Sequence, residues 1–289
     1  MPFFKGVRKT IKSDPKKYHF KYGGIGLGYL RFIGLGLYSE NGISLDGLEK
    51  AKMADVVLLE SYTNLLPGLK LTSLEALVGK KVKIVTRKDV EDGKEILSLA
   101  SSNSVAMLVA GDPFVATTHL DLRIRATKKG IPTETVNAPS IISAAPGAVG
   151  LQNYKFGKSS TITFPPPSSD VPYDTLKLNR GAGLHTLFFL DLRAEENMFM
   201  SVGEAVKLLL EMESRRGEGI INENTMLIGL ARVGGPEQFI KAGTPRDLIN
   251  LDFGKSPHAI IAPGRLHFME AEALLLFTGA EKSLVEANS

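Results

Sequence analysis

The sequence contains no cysteine and no tryptophan, and it lacks any long uninterrupted apolar run. The absence of cysteine excludes disulfides, thiolate nucleophiles and cysteine-ligated zinc or iron–sulfur sites, and it fits a reducing cytosol. No run of about 18 apolar residues occurs, so we expect no transmembrane helix and no membrane partner. The 289 residues, 43% of them hydrophobic, are enough for one large domain or two domains with their own cores.

Histidine is also scarce, and its spacing does not favour a metal site. The five histidines are His19, His119, His185, His258 and His267. None of them forms an HxxxH or HExxH pattern, so we expect no metal and treat each histidine as structural by default. The sequence also lacks the GxSxG and GxxxxGK[ST] motifs, so hydrolase and P-loop functions have no support.

The net charge of +4 is unevenly distributed. Residues 1–22 carry seven lysines or arginines against the single acid Asp14, so the rest of the chain is slightly acidic. We therefore expect no nucleic-acid partner for the body of the protein. Residues 1–28 are predicted to be a disordered basic extension, although an electrostatic arm for RNA or an acidic protein is the alternative.

The first part of the chain alternates short apolar runs with stretches of helical periodicity. This alternation predicts a doubly wound, mostly parallel sheet. The predicted strands cover residues 29–35, 55–60, 81–86, 104–110 and 132–136. We place a domain boundary near Asn137–Ala138, which makes residues 29–137 the N-terminal α/β domain.

A second α/β domain is predicted over residues 138–289. Its predicted strands cover residues 160–164, 184–190, 224–231, 238–242 and 258–262. Ser201 and Glu204 form a predicted capping box at the start of a long amphipathic helix. Pro245 is expected at the first position of another helix. The proline-rich stretch that follows residue 164 predicts a loop.

Two glycine-containing turns fall at predicted strand ends, where open α/β sheets bind ligands. They are Gly34-Leu35-Gly36 and Gly111-Asp112-Pro113. The carboxylate of Asp112 could accept hydrogen bonds from a ribose, or it could cap the helix that begins near Thr117. The glycine-rich segment 23–28 precedes a strand, so it is interpreted as a hinge and not as a phosphate-binding loop.

Several segments resemble diphthine synthases, especially the archaeal form. The longest is Gly111-Asp112-Pro113-Phe114-Val115-Ala116-Thr117-Thr118-His119, and the others include residues 32–38, 122–126, 138–141, 154–159, 183–187 and 257–264. The likeness extends from about residue 29 to residue 280. The sequence differs from the usual family pattern at Asn137, where the family has histidine.

The resemblance implies a tetrapyrrole-methylase-like fold of two α/β domains with a cofactor cleft between them. It implies S-adenosyl-L-methionine as cofactor, S-adenosyl-L-homocysteine as product, no metal, and a cytoplasmic homodimer. The implied substrate is elongation factor 2, on a histidine that bears a 3-amino-3-carboxypropyl group. The amino nitrogen of that group would be methylated to a trimethylammonium in diphthamide biosynthesis.

The resemblance also implies cofactor contacts, many of them through backbone groups. These positions are Leu37, Asp112, Val115, Ser140, Ile141, Leu190, Val233 and His258. Asp112 is the one expected to act through its side chain. No catalytic base is implied, because positioning can account for methyl transfer. Four cations are candidates for the substrate carboxylate: Arg123, Arg125, Lys155 and Lys158.

Two alternatives stay open on the sequence. One is a methylase of the same class that acts on a tetrapyrrole, since such enzymes share the Gly-Asp-Pro element. They do not share its Ala-Thr-Thr-His continuation. The other alternative is a non-catalytic RNA-associated protein, suggested by the basic residues 1–28.

Overall fold

The computed structural model describes residues 28–166 and 169–288, so residues 1–27 of the predicted extension lie outside the described part. The strands are Tyr29–Gly34 (β1), Val56–Glu60 (β2), Val82–Val85 (β3), Ser104–Val109 (β4), Thr133–Val136 (β5), Ser160–Ile162 (β6), Thr186–Leu190 (β7), Leu192–Arg193 (β8), Met198–Phe199 (β9), Leu227–Ala231 (β10), Phe239–Gly243 (β11) and His258–Ala262 (β12). The helices are Leu45–Met53 (α1), Leu71–Val78 (α2), Arg87–Asp92 (α3), Lys94–Ser102 (α4), His119–Lys128 (α5), Ile141–Val149 (α6), Val171–Gly181 (α7), Val202–Arg216 (α8), Pro245–Ile249 (α9), Phe268–Thr278 (α10) and Lys282–Glu286 (α11).

The first sheet is parallel and has the strand order β3-β2-β4-β1-β5. Its central strand β4 is buried on both faces. Val105 and Met107 belong to the apolar cluster on one side of the sheet, whereas Ala106 and Leu108 belong to the cluster on the other. Helices therefore cover both faces, as a doubly wound sheet requires. The predicted parallel architecture of this part of the chain is confirmed.

The second sheet has the order β11-β10-β12-β7-β6 and is mostly antiparallel. Only β6 and β7 run parallel to each other. The strand predicted over residues 238–242 is confirmed as β11, which lies antiparallel beside β10. Ile260 and Ile261 of β12 point into two different apolar clusters, so this sheet is also covered on both faces.

Two predicted helix starts are confirmed in detail. Ser201 caps α8 in a capping box, in which the backbone N–H of Glu204 donates to Ser201 Oγ at 3.2 Å. The Glu204 carboxylate in turn accepts from the Ser201 backbone N–H at 2.8 Å. Pro245 occupies the first turn of α9 after the N-cap Thr244. These caps satisfy N–H groups that have no partner within the helix.

The two sheets use separate parts of the chain. Every strand of the first sheet lies before residue 137, and every strand of the second lies after it. The buried apolar clusters divide in the same way. On this basis we propose that Asn137–Ala138 separates two α/β domains. Within the described residues, no helix combines the length and the apolar character needed to cross a membrane.

Candidate cofactor and substrate pocket

A pocket lies between the two sheets. The segments that follow β1, β2, β3 and β4 line one side, and the ends of β7, β10 and β12 line the other. All eight positions predicted to contact a cofactor line this one pocket: Leu37, Asp112, Val115, Ser140, Ile141, Leu190, Val233 and His258. The fold thus brings together residues that are up to 221 positions apart in the sequence.

The two predicted glycine turns are joined to each other. Gly36 and Gly111 have φ angles of +74° and +72°, a region that side chains rarely adopt. Their backbones exchange two hydrogen bonds, with N···O distances of 3.3 and 2.7 Å. A Cβ atom on Gly34 would lie 2.6 Å from the carbonyl oxygen of Gly111. Glycine is therefore required here for the turns to approach, and backbone forms this part of the pocket wall.

Asp112 lies directly after this turn, with both carboxylate oxygens engaged. Its Oδ1 accepts from the backbone N–H of Phe114 at 3.1 Å. Its Oδ2 accepts from Asn137 Nδ2 at 2.8 Å and from the Ala138 backbone N–H at 3.4 Å. The alternative of a helix cap is wrong, because the N-cap of α5 is Thr118. A carboxylate offers about four acceptor positions, so about one remains for a ligand hydroxyl.

Two buried residues, His119 and Glu60, lie next to residues that line the pocket. His119 is fully buried, and its Nδ1 donates to the carbonyl oxygen of Pro113 at 2.8 Å. Its Nε2 lies 3.7 Å from Glu60 Oε2 and has no hydrogen-bond partner among the described residues. Burial lowers the pKa of His119. The Glu60 carboxylate accepts from the backbone N–H groups of Tyr62 and Thr63, both at 2.6 Å.

Tyr62 connects these buried groups to the pocket surface. Its hydroxyl lies 3.4 Å from Thr118 Oγ1, and the guanidinium of Arg87 lies 5.1 Å from its ring centroid. Burial raises the pKa of Tyr62 to about 12, so the hydroxyl keeps its proton at neutral pH. Tyr62, Arg87 and Thr118 all line the pocket.

His258 and Arg232 line the opposite side. Both ring nitrogens of His258 are buried without a hydrogen-bond partner in the described part of the chain. Burial and the nearby charge of Arg232 lower the pKa of His258. Arg232 itself is held by carbonyl groups, since Nε donates to Glu237 at 2.9 Å and Nη1 donates to Phe253 at 2.8 Å. The imidazole of His258 is therefore neutral at pH 7.

The four cations predicted for the substrate carboxylate do not line the pocket, which corrects that prediction. Arg125 instead donates to the carbonyl groups of residues 90–92. Lys155 pairs with Glu270 and donates to the Arg265 carbonyl at 2.7 Å. The arginines of the pocket are Arg87 and Arg232. Arg87 directly follows the Val-Lys-Ile-Val-Thr stretch that contains β3, so the strand-end rule applied to Asp112 could have identified it.

Over residues 28–166 and 169–288, no group of three or more His, Asp or Glu side chains is arranged to hold a metal ion.

Residues 30–248 match the family described as Tetrapyrrole (Corrin/Porphyrin) Methylases. The chain is 48% identical over 264 residues to the diphthine synthase of Methanosarcina mazei, which covers 89% of this chain and 98% of that protein. The chain belongs to the diphthine synthases of the tetrapyrrole methylase family.

Further relatives agree with this membership. The diphthine synthase of Methanocaldococcus jannaschii is 48% identical over 250 residues, covering 85% of this chain and 97% of that protein. A solved diphthine synthase structure superposes with a TM-score of 0.82 at 36% identity, covering 89% of this chain and 99% of the other. A structure of a putative diphthine synthase from Entamoeba histolytica superposes with a TM-score of 0.80 at 36% identity. The match covers 88% of this chain and 100% of the other.

These findings confirm the predicted family and fold class. The chain is an S-adenosylmethionine-dependent methyltransferase of diphthamide biosynthesis. Two alternatives are not favoured: a tetrapyrrole-specific methylase and a non-catalytic RNA-associated protein. The relatives that this chain matches over nearly their whole length are diphthine synthases.

Proposed function

We propose that this diphthine synthase transfers methyl groups from S-adenosyl-L-methionine to the amino nitrogen of a 3-amino-3-carboxypropyl histidine on elongation factor 2. Repeated transfer gives the trimethylammonium product and S-adenosyl-L-homocysteine. The observation that carries the proposal is the convergence of all eight predicted cofactor positions on one pocket between the sheets.

The pocket has the features that the cofactor needs. Gly111, whose backbone is hydrogen-bonded to that of Gly36, adds no side chain to the pocket wall, so a ligand can approach its backbone closely. The remaining acceptor position of Asp112 suits a ribose hydroxyl. Leu37 and Val233 supply apolar surface for the less polar parts of the ligand.

The chemistry asks mainly for positioning. The bound cofactor supplies a methyl group that is already activated by a positively charged sulfur. The protein has to hold the neutral amine about 3 Å from that methyl group, in line with the bond that breaks. Orientation of this kind can supply several kcal/mol of the barrier reduction, so we assign no catalytic base and no metal.

We further propose that the protein is a cytoplasmic homodimer. Helix α10 supports this assembly because it carries several large apolar side chains that are exposed. Phe268, Met269, Leu276 and Phe277 are each more than half exposed. Apolar groups clustered on one surface are typical of protein contacts. Sedimentation equilibrium of the wild type and of Leu276→Glu tests the proposal, and a monomeric wild type would contradict it.

The central experiment uses labelled S-adenosyl-L-methionine and elongation factor 2 that carries the aminocarboxypropyl histidine. We expect label on that residue, with up to three methyl groups detected by mass spectrometry. Elongation factor 2 with the unmodified histidine is the control. Absence of label, with cofactor binding verified by calorimetry, would overturn the proposal. Removal of residues 1–28 should leave methyl transfer intact if that segment is an accessory.

A further inference from the structure

One part of the pocket contains no predicted cofactor position. The eight positions lie after β1 and β4, at the start of α6, and on the second sheet. The segments after β2 and β3 contribute Tyr62, Thr63, Asn64 and Arg87 instead. Strand β3 is at the edge of the first sheet, two strands away from β4. This polar side of the pocket is therefore available to the substrate.

Of the two arginines that line the pocket, only Arg87 has a guanidinium free of backbone carbonyls within the described residues. Arg232 is 9% exposed and donates to the carbonyl groups of Glu237, Phe253 and Lys255. Arg87 has a side chain that is 49% exposed, and its ionic partner is Glu91 at 3.5 Å. An exposed pair of this kind contributes little, about 0 to 1 kcal/mol, so a ligand can replace it.

The aromatic ring of Tyr62 orients the Arg87 side chain. The guanidinium lies 5.1 Å from the ring centroid, a distance at which cations and aromatic rings attract each other. The ring is itself fixed, because Tyr62 is 4% exposed and its backbone N–H donates to Glu60. A guanidinium held on one face keeps its edge available for two parallel hydrogen bonds.

We propose that Arg87 is a specificity-determining residue that binds the carboxylate of the aminocarboxypropyl group. This assignment rests on the proposed function, which places that group in the pocket. A guanidinium pairs with both oxygens of a carboxylate. A carboxamide at the same place would offer one oxygen and turn an NH₂ group towards the cation. The enzyme should consequently prefer the carboxylate form of its substrate to the amide form.

The test compares three proteins on two substrates. The proteins are the wild type, Arg87→Met and Lys88→Met, which removes a neighbouring cation of α3 that does not line the pocket. The substrates are elongation factor 2 with the aminocarboxypropyl histidine and the same protein with that carboxylate converted to an amide. The readouts are kcat and KM for each substrate, and the Kd for S-adenosyl-L-methionine.

For Arg87→Met we expect KM for the carboxylate substrate to rise at least tenfold and the preference over the amide to disappear. The cofactor Kd should stay within twofold, and Lys88→Met should behave like the wild type. If Arg87→Met is unstable, Arg87→Lys replaces it and should retain part of the preference. An unchanged preference, or a loss of cofactor affinity, would overturn the assignment of Arg87 while the proposed function stands. Failure of the wild type to label the carboxylate substrate would overturn the proposed function itself.

Discussion

Asn137 Nδ2 donates a hydrogen bond to Asp112 Oδ2 at 2.8 Å. The bond joins the end of β4 to the segment that connects the two sheets. The other carboxylate oxygen is held by the Phe114 backbone N–H. Because residues on both sides fix the carboxylate, its remaining acceptor position points in one direction before any ligand binds. Such preorganisation lowers the ordering cost of binding.

Asp112→Ala should weaken binding of S-adenosyl-L-methionine by more than tenfold. The variant removes a charge-assisted hydrogen bond, worth about 1.5 to 3 kcal/mol. Calorimetric Kd values measure the effect. Asp121→Ala is the matched control, because Asp121 is an exposed aspartate of α5 that pairs with Arg125 outside the pocket. Equal affinities of Asp112→Ala and the wild type would show that Asp112 only stabilises its own loop.

Asn137→Ala should weaken cofactor binding less than Asp112→Ala does. The amide acts on the ligand through Asp112, so its removal costs about 1 kcal/mol or less. In a double-mutant cycle, the two changes should not be additive, and the double variant should bind as weakly as Asp112→Ala alone. Additive losses would mean that Asn137 contacts the ligand independently.

The location of Asp112 could be predicted from the sequence, whereas its partners could not. A buried apolar run that ends in Gly-Asp-Pro places an acid at a strand end by local pattern. The donor Asn137 is 25 positions away, and only the parallel pairing of the sheet brings it close. The four misplaced cations have a similar explanation, since charge alone does not tell which part of the folded surface a side chain reaches.

Two short elements were not predicted from the sequence patterns. Helix α3 has six residues, and the ribbon of β8 and β9 has two residues in each strand. Neither is long enough for a hydrophobic period to emerge above chance. Arg87 is the first residue of α3, so its place in the pocket is indicated by the end of β3 and not by a helical period.

The free energy of unfolding should fall as pH decreases from 7.5 to 5.5. Burial lowers the pKa of His119, His185 and His258 in the folded protein. The unfolded chain, with histidine pKa values of about 6.5, therefore takes up protons first, and each histidine adds a slope of up to about 1.4 kcal/mol per pH unit. Urea unfolding at several pH values measures this slope. The His119→Gln variant should show a smaller slope than the wild type. A slope equal to that of the wild type would indicate that His119 is protonated in the folded protein.

A second titration concerns Glu270 in the second domain. Its carboxylate pairs with Lys155 and accepts from the backbone N–H groups of His267 at 2.8 Å and Gln152 at 2.9 Å. His185 Nε2 donates to it at 3.0 Å. Burial alone would raise the pKa of Glu270, but these donors outweigh it and lower the pKa to about 2. The resulting stabilisation is present above about pH 4.5 and is lost as pH falls towards 2.

Glu270→Gln should therefore lower the free energy of unfolding at pH 7 by on the order of 3 kcal/mol, because a neutral amide cannot stabilise the Lys155 charge and leaves buried donors poorly paired. Glu272→Gln, at an exposed position of the same helix, is the control and should change stability by less than about 0.5 kcal/mol. Urea unfolding measures the free energy of unfolding of both variants.

Because Glu270 lies outside the pocket, the cofactor affinity of the folded Glu270→Gln variant should equal that of the wild type. A stable Glu270→Gln would mean that the donors around it find water or other acceptors, and that the network orders the loops around residues 152 and 267 without stabilising the fold.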